Sequence, residues 1–158
     1  MNATSKTLIT AAFLALSCAA CGPSFQATTP SGFVELENEY DDYDYRATSA
    51  DGLVIGVREI EHDPPGEMPF WVTAIKNRMR ERAGYALLET KEVTSADGVK
   101  GTQLRFGHDQ DGNKPHLYYV TLFVTPDTLF LLEAGGSKKL MTDNAAEVDR
   151  AVAQFRTQ

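Results

Sequence analysis

The chain has 158 residues, of which 42% are hydrophobic and 23% are charged. These values are typical of one globular domain, and they exclude a collagen, a coiled coil, a multi-span membrane protein and a fully disordered chain. The 22 acidic and 15 basic residues give a net charge of −7, so we expect no nucleic-acid partner.

The first twenty residues have the layout of a secretory signal peptide. Met1 to Lys6 is a short polar start with one positive charge, an apolar run begins at Leu8, and small residues follow from Ser17. This order is typical of an export signal. The run from Leu8 to Ala20 is shorter than the ~20 residues that a helix needs to cross a bilayer. We therefore predict that residues 1–20 are a cleaved signal.

The cysteines at the end of this segment predict a lipid anchor. Residues 16–22, Leu-Ser-Cys-Ala-Ala-Cys-Gly, resemble the bacterial lipobox, in which small residues precede a cysteine that becomes the acylated N-terminus. Cys21 fits best because Ala20 directly precedes it, although Cys18 stands where such motifs usually carry Leu. Cys18 is the second choice, because the bulky Leu16 lies next but one before it.

Acylation at Cys21 implies a membrane as a partner and the cell envelope as the location. Each buried methylene contributes about 0.8 kcal/mol, so several acyl chains hold a protein firmly. Gly22 follows the cysteine, which under the enterobacterial sorting rule indicates the periplasmic face of the outer membrane. The Cys-x-x-Cys spacing of Cys18 and Cys21 also occurs in redox and metal sites, but no second cysteine pair follows. We expect no metal, no cofactor and no disulfide.

The rest of the chain divides into a tether and one domain. Residues 21–32 are rich in Gly, Pro, Ser and Thr, which is typical of a flexible linker, and a single domain is predicted over 33–158. Around Tyr43–Arg46 and Leu53–Arg58 the residues alternate as in strands.

The pentapeptide Thr-Ser-Ala-Asp-Gly occurs twice, at 48–52 and at 94–98. Asp-Gly favours a two-residue hairpin turn, because Gly accepts a positive φ angle. The flanking sequences differ, so we interpret the two copies as independent hairpin tips.

One amphipathic helix is predicted between Asp63 and Gly84. The breakers at 63–66 end the preceding strand, Pro69 suits the first turn and Gly84 suits the position after the last turn. Its apolar stripe comprises Phe70, Trp71, Ala74, Ile75 and Met79. The basic residues of its last two turns, which match the helix dipole, are interpreted as a solvated face rather than a docking surface.

Four more strands are predicted at 85–93, 99–107, 116–125 and 128–134. The last two are apolar on both faces, which indicates central strands covered on both sides, whereas 99–107 is one-sided with Leu104 and Phe106 facing inward.

A closing helix is predicted to follow, with Asp143 or Asn144 as its cap and Glu147 completing a capping box. Its expected buried stripe comprises Ala145, Val148, Ala151, Val152 and Phe155. Short links favour antiparallel pairing. The fold class is therefore α+β, an antiparallel sheet of about six or seven strands covered by two α-helices.

Four pieces of sequence are similar to the PsbP-like superfamily, which is named after an extrinsic photosystem II protein. They are Gly32-Phe33, Trp71, Gly84-Tyr85 and Glu133-Ala134-Gly135-Gly136. The superfamily includes small bacterial lipoproteins such as DcrB and chaperones of type VI secretion effectors. The resemblance implies the fold from Gly32 to Phe155, and because members have unrelated tasks it carries over no functional residue.

Residues 35–45 interleave six acids with three tyrosines. Such a run is usually a solvated edge that discourages pairing with other sheets, but it is also the first surface where we expect a basic partner. The candidate partner-binding residues are Glu37, Glu39, Asp41, Asp42 and Asp44.

No catalytic pattern stands out, so an enzyme is not expected. The segment 108–116 lacks the ligand spacing of a calcium loop, and 135–139 lacks the Walker spacing and is interpreted as a loop from strand to helix. We predict a non-enzymatic protein-binding or structural accessory module whose partner is another envelope protein. The alternatives are a chaperone with an exposed apolar groove, and a ligand-binding or hydrolytic module with a deep polar pocket.

Overall fold

A computed structural model describes residues 24–37, 42–110 and 112–158; Cys18, Cys21, Glu39 and Asp41 lie outside these ranges. The elements in chain order are β1 (Phe25–Gln26), β2 (Phe33–Glu35), β3 (Tyr45–Ser49), β4 (Val54–Glu61), α1 (Met68–Ala83), β5 (Ala86–Thr94), β6 (Lys100–Gln110), β7 (Lys114–Val124), β8 (Thr128–Ser137), α2 (Lys138–Asp143), α3 (Ala145–Gln154) and β9 (Arg156–Thr157).

Seven strands form one antiparallel sheet in the order β2-β3-β4-β8-β7-β6-β5. The β6–β7 and β7–β8 hairpins and the long β4–β8 pairing place β7 and β8 in the middle of this sheet. The predicted α+β class, with its antiparallel sheet, is confirmed.

The central strands of the sheet are buried on both faces. On the α3 face, Ile55, Phe123 and Phe130 belong to a core that also contains Met141 of α2 and Val152 of α3. On the α1 face, a second core is formed by the β6–β8 side chains of Leu104, Phe106, Val120, Leu122, Leu129 and Leu131, against which α1 packs. Successive side chains of a strand alternate between these cores, which explains why β7 and β8 read as apolar on both sides.

Helix α1 contacts its core through a slightly different stripe from the predicted one. Trp71, Ile75 and Met79 pack on the core as expected, together with Met68 and Val72. Phe70 was predicted in this stripe, but its side chain is 58% exposed. The contact residues repeat at spacings of three and four, and position 70 lies outside that arc of the helix.

The closing segment forms two helices rather than one. Ser137 caps α2, because its Oγ accepts a hydrogen bond from Leu140 N at 3.3 Å. The predicted capping box is wrong: the Asn144 side chain makes no cap hydrogen bond to α3, and its Nδ2 donates to Leu140 O at 2.9 Å instead. Val148, Ala151, Val152 and Phe155 are buried as expected, whereas Ala145 is exposed.

Two predicted boundaries also differ. The segment 135–137, predicted as loop, is the end of β8. Within the predicted tether, Phe25 pairs with Thr157 of β9 and is only 6% exposed, with its ring 5.7 Å from that of Phe155. The domain boundary expected at residue 33 is therefore too late.

Both copies of the repeated pentapeptide are hairpin tips, but each turn has three residues rather than two. Ser49 N donates to Leu53 O and Ser95 N donates to Val99 O, both at 2.9 Å. Gly52 and Gly98 adopt φ angles of 89° and 90°, as the glycine of a three-residue turn requires. Within the part of the chain that the structure describes, no helix is long and apolar enough to cross a membrane.

Candidate functional site

A glutamate interrupts the apolar side-chain pattern of β8 on the α1 face. Leu129, Leu131 and Glu133 point to the same face because they alternate along the strand. Glu133 is only 5% exposed. A buried carboxylate is costly unless it is paired, so its neighbours define the first candidate site.

Arg58 of β4 pairs with this carboxylate. Its Nη2 donates to Glu133 Oε1, and the side chains of Arg58 and Glu133 are 32% and 6% exposed. The Arg58 guanidinium carbon lies 5.3 Å from the ring centroid of Tyr43, which is within the range of a cation–π contact. The second carboxylate oxygen, Glu133 Oε2, is buried and makes no hydrogen bond of regular geometry. The ion pair thus leaves one acceptor unused.

Two glycines make room for tyrosine rings beside Glu133. A Cβ atom at Gly56, the register partner of Glu133 on β4, would lie 2.6 Å from Cδ1 of Tyr43. A Cβ atom at Gly135 would lie 2.8 Å from Cδ2 of Tyr118. Both rings therefore lie close to bare backbone, that of Tyr43 at Gly56 of β4 and that of Tyr118 at Gly135 of β8.

Burial and the negative charge of Glu133 raise the pKa of the phenols of Tyr43 and Tyr118. Desolvation raises the pKa of Tyr118 far above its usual value, and the negative charge of Glu133 adds to this shift. The pKa of Tyr43 is raised by the same two causes, partly offset by the positive charge of Arg58. Both hydroxyls therefore stay protonated at neutral pH and are able to donate as well as accept hydrogen bonds.

These groups line a pocket of about 270 Å³, which we call the Glu133 pocket. Its polar and aromatic walls are formed by Tyr43, Arg46, Tyr85, His116, Tyr118 and Glu133. The volume lies just below the ~300 Å³ at which pockets for drug-sized ligands begin. The pocket has space for a ligand smaller than these.

The predicted acidic segment lies only in part within the described residues. Glu37, Asp42 and Asp44 are exposed, and Glu39 and Asp41 lie outside the described residues. Asp44 has a structural contact, because its Oδ2 accepts a hydrogen bond from Glu59 N at 2.7 Å. Among the described residues of this segment, Tyr43 reaches the pocket.

The buried histidine, His62, supports the start of α1. Its Nε2 accepts from Gly66 N at 2.7 Å and from Trp71 Nε1 at 3.0 Å, while Nδ1 lies 2.8 Å from Thr125 O. His108 and His116 are register partners on β6 and β7. Over the described ranges, no group of three or more His, Cys, Asp or Glu residues is arranged to hold a metal ion.

Comparison with known proteins relates the chain to others through structure alone. No protein-family model and no curated protein matches it. The structure of LpqN, involved in cell envelope biogenesis of Mycobacterium tuberculosis, superposes with a TM-score of 0.65 at 12% identity over 84% of this chain and 82% of LpqN. Cyanobacterial PsbP from Synechocystis sp. PCC 6803 matches with a TM-score of 0.54 at 13% identity, covering 90% of this chain and 98% of that protein.

The chain has the PsbP-like fold. The Ran-binding protein Mog1p of Saccharomyces cerevisiae also shares this fold, with a TM-score of 0.57 at 15% identity over 87% of this chain and 92% of Mog1p. These superpositions establish a common PsbP-like architecture. Because the identities are this low, they do not transfer a binding site.

Proposed function

We propose that this protein is a lipid-anchored, non-enzymatic accessory module of the bacterial cell envelope, which acts by binding another envelope protein. The observation that carries the proposal is an acylatable cysteine, Cys21, placed directly before a PsbP-like domain. The fold is shared with LpqN, whose role lies in cell envelope biogenesis, and with Mog1p, which binds Ran.

The link between anchor and domain is short. Ser24 is hydrogen-bonded to the domain, since its N and Oγ donate to the two carboxylate oxygens of Glu59 at 3.0 and 2.6 Å. Three residues of extended chain span at most about 11 Å, so an acyl chain on Cys21 would hold the β1–β9 end of the domain next to the bilayer. Gln158 N donates to Ser24 O at 2.9 Å, so Gln158 would lie at that same end.

Metabolic labelling with a clickable fatty acid tests the anchor. We expect labelling of the wild type and of Cys18→Ser, and none of Cys21→Ser. Labelling that is lost only in Cys18→Ser would move the anchor to that residue. Absence of labelling in the wild type would overturn the lipid anchor.

A second measurement tests the short link. A fluorophore attached after Gln158 should be quenched by headgroup-labelled lipid in reconstituted vesicles. Inserting a flexible stretch of about ten residues between Cys21 and Ser24 should reduce the quenching, because an inserted coil of that length has a root-mean-square span of about 17 Å. Equal quenching with and without the insertion would contradict a domain held against the bilayer.

The exposed acids are the proposed contact for the partner protein. Glu37 and Asp42 are exposed, and an acidic surface favours a basic partner by electrostatic complementarity. In cross-linking followed by mass spectrometry on native envelopes, Glu37→Gln/Asp42→Asn should reduce capture of the main partner. Glu81→Gln/Glu92→Gln, which neutralises two exposed acids on α1 and β5, is the matched control. Equal loss in both double variants would remove the acidic segment as the contact.

A chaperone role receives less support from the fold. Such a role calls for an open apolar groove on the sheet, yet the central strands β7 and β8 are covered on both faces. The large apolar side chains that are exposed among the described residues are scattered over four elements: Val34 on β2, Ile60 on β4, Phe70 on α1, and Leu87 and Leu88 on the edge strand β5. The polar pocket supports the third alternative, a ligand-binding module.

A further inference from the structure

We propose that the Glu133 pocket binds a small, uncharged, hydroxyl-rich molecule of monosaccharide size. The ion pair with Arg58 leaves one carboxylate oxygen of Glu133 available to a ligand. Glu133 has a side chain that is only 6% exposed, and its Oε1 is paired with Arg58. Its Oε2 makes no hydrogen bond of regular geometry, although the hydroxyls of Tyr43 and Tyr118 lie near the carboxylate. An acceptor left unpaired in a buried position is costly, and a ligand that donates to it removes that cost.

The charges around Glu133 select against an ionic ligand. Arg58 already neutralises the carboxylate, and Arg46 adds a second guanidinium to the pocket wall. A cationic ligand at Oε2 would lie beside the Arg58 guanidinium, and a fully deprotonated anion has no proton to donate to Oε2. A neutral hydroxyl donates to Oε2 without either disadvantage.

The aromatic walls fit the apolar face of a ring that carries hydroxyls at its edge. The rings of Tyr43 and Tyr118 lie close to Gly56 and Gly135, and the ring of Tyr85 is centred 5.8 Å from that of Tyr118. Their hydroxyl groups add hydrogen-bonding positions around the pocket. Ring faces for C–H groups and polar groups for hydroxyls are complementary to a cyclic polyol.

The other pockets do not offer this combination. A pocket of about 590 Å³ near Met68 and Lys100 is larger, but among its lining residues only Gly101 is buried. A pocket of about 440 Å³ between α1 and β5 is lined by Lys76, Arg80 and Leu87, which are half-buried or exposed. Neither contains a buried polar side chain without a partner.

Titration of the purified full chain, followed by NMR through the amide signals of Gly56 and Gly135, tests this site. The probes are D-glucose and myo-inositol as neutral polyols, choline as a cation and inorganic phosphate as an anion. We expect saturable shifts with at least one polyol at millimolar concentration, and none with choline or phosphate. The titration uses no membrane, so its outcome is independent of acylation.

Two variants and a matched control locate the contact. Glu133→Gln should weaken polyol binding about tenfold or more, because a hydrogen bond to a charged acceptor is lost. Tyr43→Phe keeps the ring and the fold and should weaken binding about threefold, which keeps the test decisive if Glu133→Gln does not fold. Tyr45→Phe removes a hydroxyl two residues away on the α3 face and should leave binding unchanged.

Three results would overturn the proposal. The first is no saturable shift with either polyol, which removes the ligand class. The second is binding of choline or phosphate in preference to the polyols, which contradicts the charge argument. The third is a polyol affinity that is the same in the wild type, Glu133→Gln and Tyr43→Phe, which places binding elsewhere on the chain.

Discussion

Thr157 and Asp97 connect the end of the chain to a hairpin tip 60 residues earlier. Thr157 donates its backbone N–H and its hydroxyl to Asp97 Oδ2 at 3.0 and 2.9 Å. Ser95 Oγ donates to Asp97 Oδ1 at 2.6 Å, and Ala96 N donates to Phe155 O at 2.8 Å. The carboxylate thereby holds β9, and through it β1, against the β5–β6 turn.

This contact predicts a loss of stability in acid. Desolvation raises the pKa of Asp97, but the hydrogen bonds from Ser95 and Thr157 outweigh it, and the pKa is lowered overall. A carboxyl whose folded pKa is depressed stabilises the fold above its unfolded pKa, about 4, and loses that contribution as the pH falls through the folded value. Asp97→Asn should therefore lower the free energy of unfolding by about 1 kcal/mol at neutral pH, and by less at about pH 2. The loss is small because the Asp97 side chain is exposed.

Asp51 supplies the control, because it occupies the same place in the same pentapeptide and accepts no hydrogen bond from β9. Urea unfolding at neutral pH should give a lower free energy of unfolding for Asp97→Asn than for the wild type. Asp51→Asn should have the same free energy of unfolding as the wild type. Equal free energies of unfolding in the two variants would show that the aspartate stabilises the turn itself and that the contact with Thr157 contributes nothing.

Adjacent glycines on β8 should respond differently to alanine. At Gly135 a Cβ atom would lie 2.8 Å from the Tyr118 ring, whereas at Gly136 the nearest atom, Leu53 Cα, would lie 3.6 Å away. Gly135→Ala should therefore destabilise the fold by about 1–3 kcal/mol through overpacking, and Gly136→Ala by well under 1 kcal/mol. Thermal unfolding of both variants checks this difference, and similar losses at both positions would contradict the close contact of Tyr118.

The sheet was accessible from sequence because its signals are local. The runs in β7 and β8 are apolar on both sides, and their lengths and turns specify hairpins, so central antiparallel strands follow from residues such as Val120 and Leu131 alone. The β1–β9 pair escaped prediction because two-residue strands carry no periodicity. Phe25 is fixed by a partner 132 positions later, which only the tertiary fold specifies.

The Glu133 pocket could not be predicted from the sequence for a related reason. Tyr43, just before β3, and Arg58 of β4 come from one hairpin, whereas Glu133 lies 75 residues after Arg58 and meets them only through the β4–β8 register. One signal did exist: a glutamate on the same face as Leu129 and Leu131 in a strand apolar on both faces implies a buried carboxylate and hence a partner. Which arginine would pair with it was not determined by spacing.

His62 should be important for the attachment of α1. Two N–H groups, Gly66 N and Trp71 Nε1, point at its Nε2, so its ring joins the turn before α1 to the helix itself. His62→Ala removes these contacts from a buried site and should destabilise the fold by about 2–4 kcal/mol. His116→Ala is the control, because its ring nitrogen Nδ1 bonds only to Lys114 O, two residues away, and its loss should amount to under about 1 kcal/mol. Comparable urea midpoints for both variants would contradict a structural role of His62.

Tyr118 should make the fold sensitive to alkali. Burial first, and then the charge of Glu133, raises its pKa above the 10.0 of a free phenol. A phenol whose folded pKa is raised stabilises the fold fully below its unfolded pKa, and this contribution is lost as the pH rises toward the folded value, because only the unfolded chain ionises. Above about pH 10, this residue alone should therefore lower the free energy of unfolding by up to about 1.4 kcal/mol per pH unit.

In Tyr118→Phe, the free energy of unfolding should fall less steeply above about pH 10 than in the wild type. Tyr85→Phe removes another hydroxyl from the same pocket and should lose stability as steeply as the wild type. Urea unfolding at a series of pH values measures the decline, and phenolate absorbance in the near ultraviolet reports ionisation independently. The absorbance titration counts the phenols that ionise only when the protein unfolds. The wild type should have one more such phenol than Tyr118→Phe. If the two proteins lose stability in parallel above pH 10, the desolvated environment assigned to Tyr118 is incorrect.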